Sequence, residues 1–208
     1  MVADIGAGDC FFDCQLVTVD SHIEKIIAID INYREAPAVD SRIILKNNIS
    51  ELDADSIDVI FMMDVLEHVF NDGAFLREVA SKVKSDGLIV ITVPAYPSLF
   101  SSHDRFLKHY RRYTHERLRK LIECNELQIL SHHYFYLSLW IVRWLQVNIG
   151  LFGTKSDTGI GTWPYSSSNF VTKIVKHALN LDFLMNEIVH EFGISIPGLS
   201  LLAVCKKN

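Results

Sequence analysis

Glycine and aspartate residues near the start of the chain form a pattern that can bind a small ligand. An apolar run over residues 2–5 is followed by Gly6, Ala7 and Gly8. A strand that turns sharply into a helix favours glycine, and a turn without Cβ atoms lets a ligand lie against the main chain. Free N–H groups of a helix starting at Asp9 would favour a negatively charged group. The pattern predicts a nucleotide-type pocket.

The spacing of the glycines limits which kind of nucleotide the predicted pocket can bind. A dinucleotide-binding turn follows the pattern G-x-G-x-x-G, whose third glycine lets the helix pack closely on the strand. Gly6 and Gly8 fit this pattern, but the third position is the bulky Phe11. A phosphate-binding Walker loop would end in Gly-Lys-Ser or Gly-Lys-Thr, which this segment lacks. A pocket for a nucleoside with a short charged tail remains.

Polar residues after the next predicted strands complete this pocket. Asp30 ends a second strand, roughly 20 positions after the glycines, where a carboxylate can accept hydrogen bonds from both ribose hydroxyls. Asn48 ends a third strand, and its amide is predicted to pair with a purine edge while Ile49 packs on the ring. Asn47 is an alternative to Asn48, since it stands beside it.

A turn with ionisable side chains follows the predicted fourth strand, residues 57–62. His68 in this turn can take a proton from a hydroxyl or an amine, because its ordinary pKa lies near neutrality. The alternative is a structural histidine that fixes the turn by a hydrogen bond. Glu67 and His68 lack an evident third ligand, so no metal site is predicted.

A basic segment, residues 103–120, follows the predicted fifth strand. Since arginine binds carboxylates and phosphates in bidentate fashion, the segment is either a clamp for an acidic group of a substrate or a solvated helix face with Arg–carboxylate pairs. His103 and Tyr110 within it are candidates to reach a reaction centre. The basic residues are Arg105, Lys108, Arg111, Arg112, Arg117, Arg119 and Lys120, against Asp104 and Glu116.

The elements that position these residues follow from periodicity. Apolar runs alternate with amphipathic segments up to about residue 94, which predicts a parallel sheet with helices on both faces. Asn71 is a predicted N-cap for a helix over residues 71–83, and Thr114 for a later helix. A sixth strand over residues 127–136, a helical insertion over residues 138–192 and a closing strand complete the prediction.

The most apolar stretch, residues 134–152, is interrupted by Arg143, Gln146 and Asn148. Its helical part is too short and too broken for a spanning helix, which needs about 20 apolar residues. A buried helix over the sheet or the substrate cleft is predicted. A membrane-surface or lipid-substrate role, suggested by Trp140 and Trp144 near the basic segment, is the alternative. Residues 153–169 are predicted to form a long exposed loop.

Composition sets outer bounds on function. The 208 residues suffice for one sizeable α/β core, with 49% hydrophobic and 22% charged residues. A net charge of -5 argues against general nucleic-acid binding. The four cysteines show no paired metal spacing, and no signal peptide precedes the first predicted strand. We therefore expect reduced thiols in a cytoplasmic protein, with contact at a membrane periphery left open.

Taken in order, these motifs resemble those of class I S-adenosylmethionine-dependent methyltransferases. The first-strand motif, the ribose carboxylate, the 64–69 segment, the basic segment and the closing strand all match, the last two as in a branch of small-molecule enzymes. Asn48 stands where the family more often has Asp. The resemblance covers most of the chain except about residues 138–192. It implies a Rossmann-like, doubly wound seven-stranded sheet, mostly parallel with an antiparallel edge strand, as a single domain over residues 1–208.

The resemblance also implies S-adenosylmethionine as the cofactor, with S-adenosylhomocysteine as the product. The acceptor would be a small molecule or lipid-like, methylated at oxygen, and an anionic group on it would suit the clamp. No nucleic-acid partner is expected, and an oligomer is left open. Implied catalytic candidates are His68, His103 and Tyr110. Implied cofactor-binding residues are Asp4, Gly6, Ala7, Gly8, Asp30, Ile31, Asn48, Ile49 and Asp64.

Two departures from the family leave alternatives open. Cys10 stands where the family usually has a third small residue. The family usually carries one or two helices before the first strand, which here begins at residue 2. Either the pocket is unusually open, or another subunit covers it, or the chain is a shortened version of a longer protein. The alternative functions are a cofactor-binding module of the same fold without catalysis, and a nucleotide-sugar or nicotinamide enzyme.

Overall fold

The structure of the chain is a computed structural model, and it describes residues 1–31, 33, 39–149 and 170–207. The strands are β1 (Val2–Ile5), β2 (Ile26–Ile29), β3 (Ile43–Lys46), β4 (Ile57–Met63), β5 (Val83–Pro94), β6 (Leu127–Phe135) and β7 (Ser200–Lys207). The α-helices are α1 (Phe11–Val19), α2 (Asp72–Lys82), α3 (Ser102–Phe106), α4 (His115–Glu123), α5 (Leu137–Ile149) and α6 (Phe170–Glu191).

The strands form a seven-stranded sheet in the order β3-β2-β1-β4-β5-β7-β6. The pairs from β3 to β5 are parallel, and the strand order reverses between β1 and β4. The sheet is mostly parallel with antiparallel strands at one edge. The predicted Rossmann-like α/β fold is confirmed. In such sheets ligands bind beyond the carboxyl ends of the strands where the order reverses.

The inner strands β1 and β2 are mostly apolar, as expected where helices cover both faces of a parallel sheet. All four residues of β2 are buried, and β1 has a single half-buried position among buried ones. One apolar cluster joins Cys10 and Val17 of the α1 region to Ile26, Ala28 and Ile43 of β2 and β3. This cluster anchors α1, whose beginning lies next to the glycine turn.

The chain divides into two compact units. The first comprises Met1–Thr92, Leu118–Ser131 and Ala203–Asn208 and contains β1 to β4 with α1 and α2. The second comprises Val93–Arg117 and His132–Leu202 and contains α3, α5 and α6.

Two predicted helix caps are confirmed. The Asn71 side chain accepts a hydrogen bond from Ala74 N at 3.1 Å, and Thr114 Oγ1 accepts one from Arg117 N at 3.1 Å. The helix predicted over residues 71–83 ends at Lys82, because Val83 already pairs with Ile57 in the sheet. Capping side chains therefore mark helix starts more accurately than periodicity marks helix ends.

The segment predicted as a helical insertion, residues 138–192, contains α5 and α6. The loop predicted over residues 153–169 lies outside the described residues. Within the described ranges, the helices are all too short or too polar to cross a membrane.

Candidate functional site

The glycine turn after β1 has the backbone conformation that its sequence predicts. Gly6 has φ +79° and Gly8 has φ +55°, in the left-handed region that side chains rarely adopt. A Cβ on Gly6 would lie 2.7 Å from Val65 Cγ2, so this position has no room for a side chain. A Cβ on Gly8 would meet no atom within 4 Å. The backbone at Gly8 is therefore open to a ligand.

The prediction that the helix starts at Asp9 is wrong by two residues. Cys10 is fully buried with φ 60°, and this left-handed conformation cannot be part of an α-helix, so α1 begins at Phe11. Asp9 instead accepts a hydrogen bond from Phe11 N at 3.1 Å. The Cys10 Sγ lies 3.0 Å from the hydroxyl of Tyr33. The left-handed backbone conformation of Cys10 accounts for the small residue that the family prefers at this position.

Asp30 lies directly beside the glycine turn. Its Oδ2 accepts a hydrogen bond from Gly8 N at 3.1 Å, although 22 positions separate the two residues in sequence. The backbone N–H groups of Gly6 and Ala7 both donate to Ile29 O, at 2.8 and 3.2 Å. These hydrogen bonds join the turn and the end of β2 into one corner, with the half-buried Asp30 at its edge.

The two asparagines after β3 have different structural roles. Asn47 Nδ2 donates to the carbonyl oxygens of Asp30 and Tyr33, at 3.2 and 3.1 Å, and so holds the chain after β2. Asn48 caps the 3₁₀ turn Ile49–Glu51, because its Oδ1 accepts from Ser50 N at 2.9 Å. The Asn48 side chain is exposed, and Ile49 is buried. The capping role of Asn48 was not predicted.

Ile31 is an exposed apolar residue at this corner. It directly follows Asp30, and 84% of its surface is accessible to solvent. An isolated exposed isoleucine is ordinary, but this one is adjacent to the carboxylate predicted to bind a ribose. It is positioned to offer an apolar face beside that carboxylate.

Two buried carboxyl groups lie beneath the glycine turn. Asp4 in β1 is 2% exposed, and Asp13 in α1 is fully buried. Burial, together with the charges of Asp13 and Asp30, raises the pKa of Asp4 to about 8. Burial raises the pKa of Asp13 to about 6. The sequence does not predict the burial of Asp13, because an aspartate in the first turn of a helix is normally exposed.

These raised pKa values predict that stability falls as the pH rises. Above pH 4 the unfolded chain releases the Asp4 proton, while the folded chain keeps it until about pH 8. We expect Asp4→Asn to raise the free energy of unfolding by roughly 3 kcal/mol at pH 8, and to have little effect near pH 4. Urea denaturation between pH 4 and 9 measures this.

Asp13→Asn is the matched comparison for Asp4→Asn. Its stabilising effect should grow only up to about pH 6, where the folded-state carboxyl ionises, and then level off. If the effects of the two variants showed the same pH dependence, or none, the assignment of these two protonation states would be wrong.

The turn after β4 places its ionisable residues in different environments. Asp64 is exposed, with φ 54°, and its backbone N–H donates to Thr92 O at 3.0 Å. Glu67 is fully buried, whereas His68 is exposed and its N–H donates to Val65 O at 3.0 Å. The exposure of His68 leaves open both the catalytic and the structural interpretation.

A buried ionic network in the second unit involves the basic segment. Asp104 is fully buried and accepts hydrogen bonds from Arg112 Nε at 2.6 Å, His109 Nδ1 at 3.3 Å and Ser101 N at 2.9 Å. Burial by itself would raise the pKa of Asp104, but the hydrogen bonds from His109 and Arg112 and the charge of Arg112 hold it well below its usual range. Arg112 also donates to Ala95 O at 3.1 Å. Arg112 therefore fixes the loop rather than projecting outward.

Arg143 adds a second guanidinium group to this carboxylate. Its Nη2 lies 3.5 Å from Asp104 Oδ2 and hydrogen-bonds Ser101 Oγ, while its Nη1 lies 3.4 Å from Gln146 Oε1. The side chain is 11% exposed, and in the described part of the chain its buried Nε has no hydrogen-bond partner. Burial and the charge of Arg112 lower the pKa of Arg143. Two guanidinium groups thus share one carboxylate, leaving a surplus of positive charge.

The two catalytic candidates of the basic segment differ in their surroundings. His103 is half-buried, and its Nδ1 is buried without a hydrogen-bond partner among the described residues. Burial and the nearby charge of Arg143 lower its pKa, so the imidazole is neutral at physiological pH. Tyr110 is exposed, with the Arg111 guanidinium 5.8 Å from its ring centre.

Three further arginines of the segment contact neighbouring side chains. Arg119 pairs with Glu123 one helical turn away, at 2.9 Å, and Arg117 lies over the ring of Tyr113 at 5.3 Å. Arg105 lies 5.8 Å from the ring centre of Phe100. These contacts fit the solvated-face interpretation, which stays a prediction. Asp104 and Arg143 were not predicted to act together, and only the distance between them identifies the network.

A comparison with protein families shows which family the chain belongs to. The model of a family described as a methyltransferase domain matches residues 4–134, which include the glycine turn, the β2–β3 corner and the basic segment. The chain belongs to this methyltransferase family. It is a class I S-adenosylmethionine-dependent methyltransferase. The sequence resemblance is thereby confirmed.

Solved structures agree with the fold of this methyltransferase. An S-adenosylmethionine-dependent methyltransferase from Archaeoglobus fulgidus has a TM-score of 0.59 and 19% identity, covering 99% of this chain and 85% of its own. One from Mesorhizobium loti has a TM-score of 0.60 and 13% identity, covering 99% and 90%. A chain from the complex of the Haloferax volcanii Trm112 methyltransferase activator with a methyltransferase has a TM-score of 0.59 and 15% identity, covering 99% and 80%. No curated protein matches the sequence of this chain.

Proposed function

We propose that this methyltransferase moves a methyl group from S-adenosylmethionine to an oxygen atom of a small or lipid-like acceptor that carries an anionic group. The observation that carries the cofactor assignment is the 3.1 Å hydrogen bond between Gly8 N and the Asp30 carboxylate. It brings an open, positive-φ glycine backbone next to a carboxylate at the end of the adjacent strand. A nucleoside with a short tail needs both groups within its own length.

The residues around this corner fit the parts of S-adenosylmethionine. The turn at Gly6, Ala7 and Gly8 would let the amino-acid tail lie against the main chain, because no side chain occupies the space at Gly8. The Asp30 carboxylate would accept hydrogen bonds from the two ribose hydroxyls. Adenine would pack on the exposed Ile31, near the Nδ2 group of Asn48, because Ile49 is buried and offers little surface. Asp4 beneath the turn and Asp64 after β4 would contribute negative charge to a ligand that is cationic at its sulfonium and ammonium groups.

The buried carboxyl of Asp4 supports a cationic ligand. Its pKa of about 8 means that the carboxylate form is destabilised in the protein without a ligand. A positive charge nearby would compensate for this, because an opposite charge within about 4–6 Å favours the ionised form. The cofactor's ammonium group is the natural counter-ion.

The reaction requires little chemistry from the protein itself. The cofactor supplies a methyl group already activated on a sulfonium sulfur. The role of the chain is to hold the acceptor oxygen in line with that methyl group, about 3–3.5 Å away, and to exclude water. A covalent nucleophile on the enzyme is unnecessary for such a displacement.

The acceptor's anionic group is assigned to Arg143. Its buried Nε lacks a partner in the described part of the chain, and it shares the Asp104 carboxylate with Arg112. A buried donor without a partner costs about 1–3 kcal/mol, and surplus buried charge costs more. A carboxylate or phosphate beside Arg143 would compensate the surplus positive charge through charge-assisted hydrogen bonds.

His103 is the best candidate to receive the acceptor's proton. Because burial and Arg143 keep its imidazole neutral, it can act as a base at physiological pH. His68 and Tyr110 remain candidates for the same role, and both are exposed.

Calorimetry followed by turnover assays tests this function. We expect S-adenosylhomocysteine to bind at micromolar concentrations and NAD to show no heat of binding at one millimolar. Radiolabelled methyl transfer should then be at least about tenfold faster to hydroxylated carboxylates or phosphates than to their neutral amide or ester analogues. Cofactor binding without transfer to any acceptor would favour the non-catalytic module. Binding of NAD instead would exclude the proposal.

A further inference from the structure

Helix α6 carries a row of exposed apolar side chains whose spacing alternates between four and three residues. Such spacing lines the seam of a two-stranded coiled coil. Leu181 in the middle of the row is 60% exposed. At about 1.5 Å per residue the row is roughly 27 Å long. It consists of Ile174, Ala178, Leu181, Met185, Ile188 and, directly after the helix, Phe192.

The opposite side of α6 faces its own unit and is held there by polar contacts. Asn186 on this side is 1% exposed, and its Nδ2 donates within the helix to the Asp182 carbonyl oxygen at 2.8 Å. The Asp182 side chain accepts a hydrogen bond from Ser138 N at the start of α5, at 2.9 Å. His133 of β6, which is buried, pairs with Glu187. These contacts fix the rotation of α6, so the apolar row cannot turn inward without breaking them.

An apolar row of this length indicates an interaction site, since exposed contiguous apolar surface in soluble proteins usually marks one. The charges along α6 indicate which partner fits this row. Lys173 and Lys176 lie in its first half, whereas Glu187 and Glu191 lie in its second half. A parallel pairing of two such helices would place like charges together. An antiparallel pairing would place each lysine end beside a glutamate end.

We propose that α6 pairs antiparallel with α6 of a second copy of this chain, around a two-fold axis near residue 183. In this register Leu181 packs against Met185 of the other copy, Ala178 against Ile188, and Ile174 against Phe192. Each layer occurs twice, as an isologous interface requires. Leu184, which is exposed beside the row, would meet its own counterpart near the axis.

A lipid surface is the less favourable occupant of the same row. Helices that lie on anionic membranes are rich in Lys and Arg on their polar face. The acidic residues of α6, Asp182, Glu187 and Glu191, outnumber its lysines. Asp182 and Glu187 already contact Ser138 and His133 of the same copy, which leaves lysines at one end of the row and Glu191 at the other. This opposite charge at the two ends suits a second antiparallel copy better than a uniformly anionic membrane.

Sedimentation velocity of the full chain between 1 and 100 µM tests the pairing. We expect the mass to rise from one chain to two across this range. Leu181→Glu should raise the dimer dissociation constant at least about tenfold, because it buries two charges near the axis. The control Asn180→Glu adds the same charge to the next, also exposed, position outside the row and should leave the dimer intact. Circular dichroism of both variants should match that of the parent chain.

Cysteine cross-linking tests the direction of the pairing. In a Cys124→Ser background, which removes the exposed native thiol, the double variant Ala178→Cys/Ile188→Cys should form a covalent dimer on mild oxidation. Neither single variant should do so, since identical positions lie roughly 15 Å apart along antiparallel helices. Cross-linking by Ala178→Cys alone would show a parallel arrangement and overturn the proposal.

Two further outcomes would also overturn it. A parent chain that stays monomeric at 100 µM would show that the row does not join two copies. A chain that co-sediments with phosphatidylserine vesicles, and loses that binding with Leu181→Glu but not with Asn180→Glu, would assign the row to a lipid surface.

Discussion

Asp30→Ala is expected to weaken S-adenosylhomocysteine binding by about 100-fold or more, measured by calorimetry at pH 7.5. The variant removes the acceptor for two ribose hydroxyl hydrogen bonds, and hydrogen bonds to a charged group contribute roughly 1.5–3 kcal/mol each. It also removes the contact with Gly8 N, at 3.1 Å, that joins the glycine turn to the end of β2. The loss should appear as binding affinity, with the overall fold retained.

Asp40→Ala is a suitable control for this experiment. Asp40 is another partly exposed carboxylate of the same unit, paired with Arg42 immediately before β3. Its removal should change the affinity less than about twofold, since surface ion pairs contribute little. Equal affinities for the Asp30 variant and the parent chain would show that the ribose lies elsewhere, and the cofactor assignment would then be abandoned.

Asp104→Asn is expected to destabilise the protein by about 3–5 kcal/mol, measured by urea denaturation at pH 7. The substitution removes the anion that compensates Arg112 and Arg143, leaving two buried guanidinium groups without a counter-charge. Methyl transfer should fall as well, because the same substitution disturbs the position of Arg143. Asp104→Ala should be at least as destabilising, since it also removes the acceptor of the Ser101 hydrogen bonds.

The pH dependence of this effect has a definite sign. The pKa of Asp104 is lower in the folded chain than in the unfolded chain. Its ionisation therefore stabilises the fold above about pH 4, and this stabilisation is lost as the pH falls below 4 toward the lowered folded-state pKa. The difference between the parent chain and Asp104→Asn should be constant from pH 8 to 5 and shrink below pH 4.

Glu123→Gln, which breaks an exposed ion pair, is the control for Asp104→Asn in the buried network. Glu123 pairs with Arg119 on the exposed side of α4 at a similar distance, 2.9 Å. Its replacement should cost less than about 0.5 kcal/mol, because water already solvates both groups. A comparably small effect of Asp104→Asn would mean that the two arginines are compensated by other groups, and the surplus of charge assigned to Arg143 would be wrong.

The sequence by itself was sufficient for the fold and for the corner that would bind the cofactor. Apolar runs identified the strands, and glycines at residues 6 and 8 identified the turn. The rule that parallel strands end at the same edge of the sheet then predicted that Asp30 lies near that turn. These signals are local, or follow from a general property of parallel sheets, so no knowledge of side-chain packing was needed.

The sequence could not assign roles that depend on the local backbone conformation. Asn48 was predicted to meet a purine edge, and only the structure shows it capping a 3₁₀ turn. Cys10 was predicted to lie within a helix, yet its left-handed backbone precedes the helix. Both positions depend on backbone angles that neighbouring residue types do not specify.

The Asp104 network and the orientation of α6 were decided by tertiary structure alone. Arg143 stands 39 positions from Asp104, and no periodicity relates the two. In α6, the pattern identifies an apolar face, which a sequence would place inward. The contacts of Asp182 with Ser138 and of Glu187 with His133 instead turn that face outward. Local sequence determines which faces a helix has, whereas the polar contacts made after folding determine which face is buried.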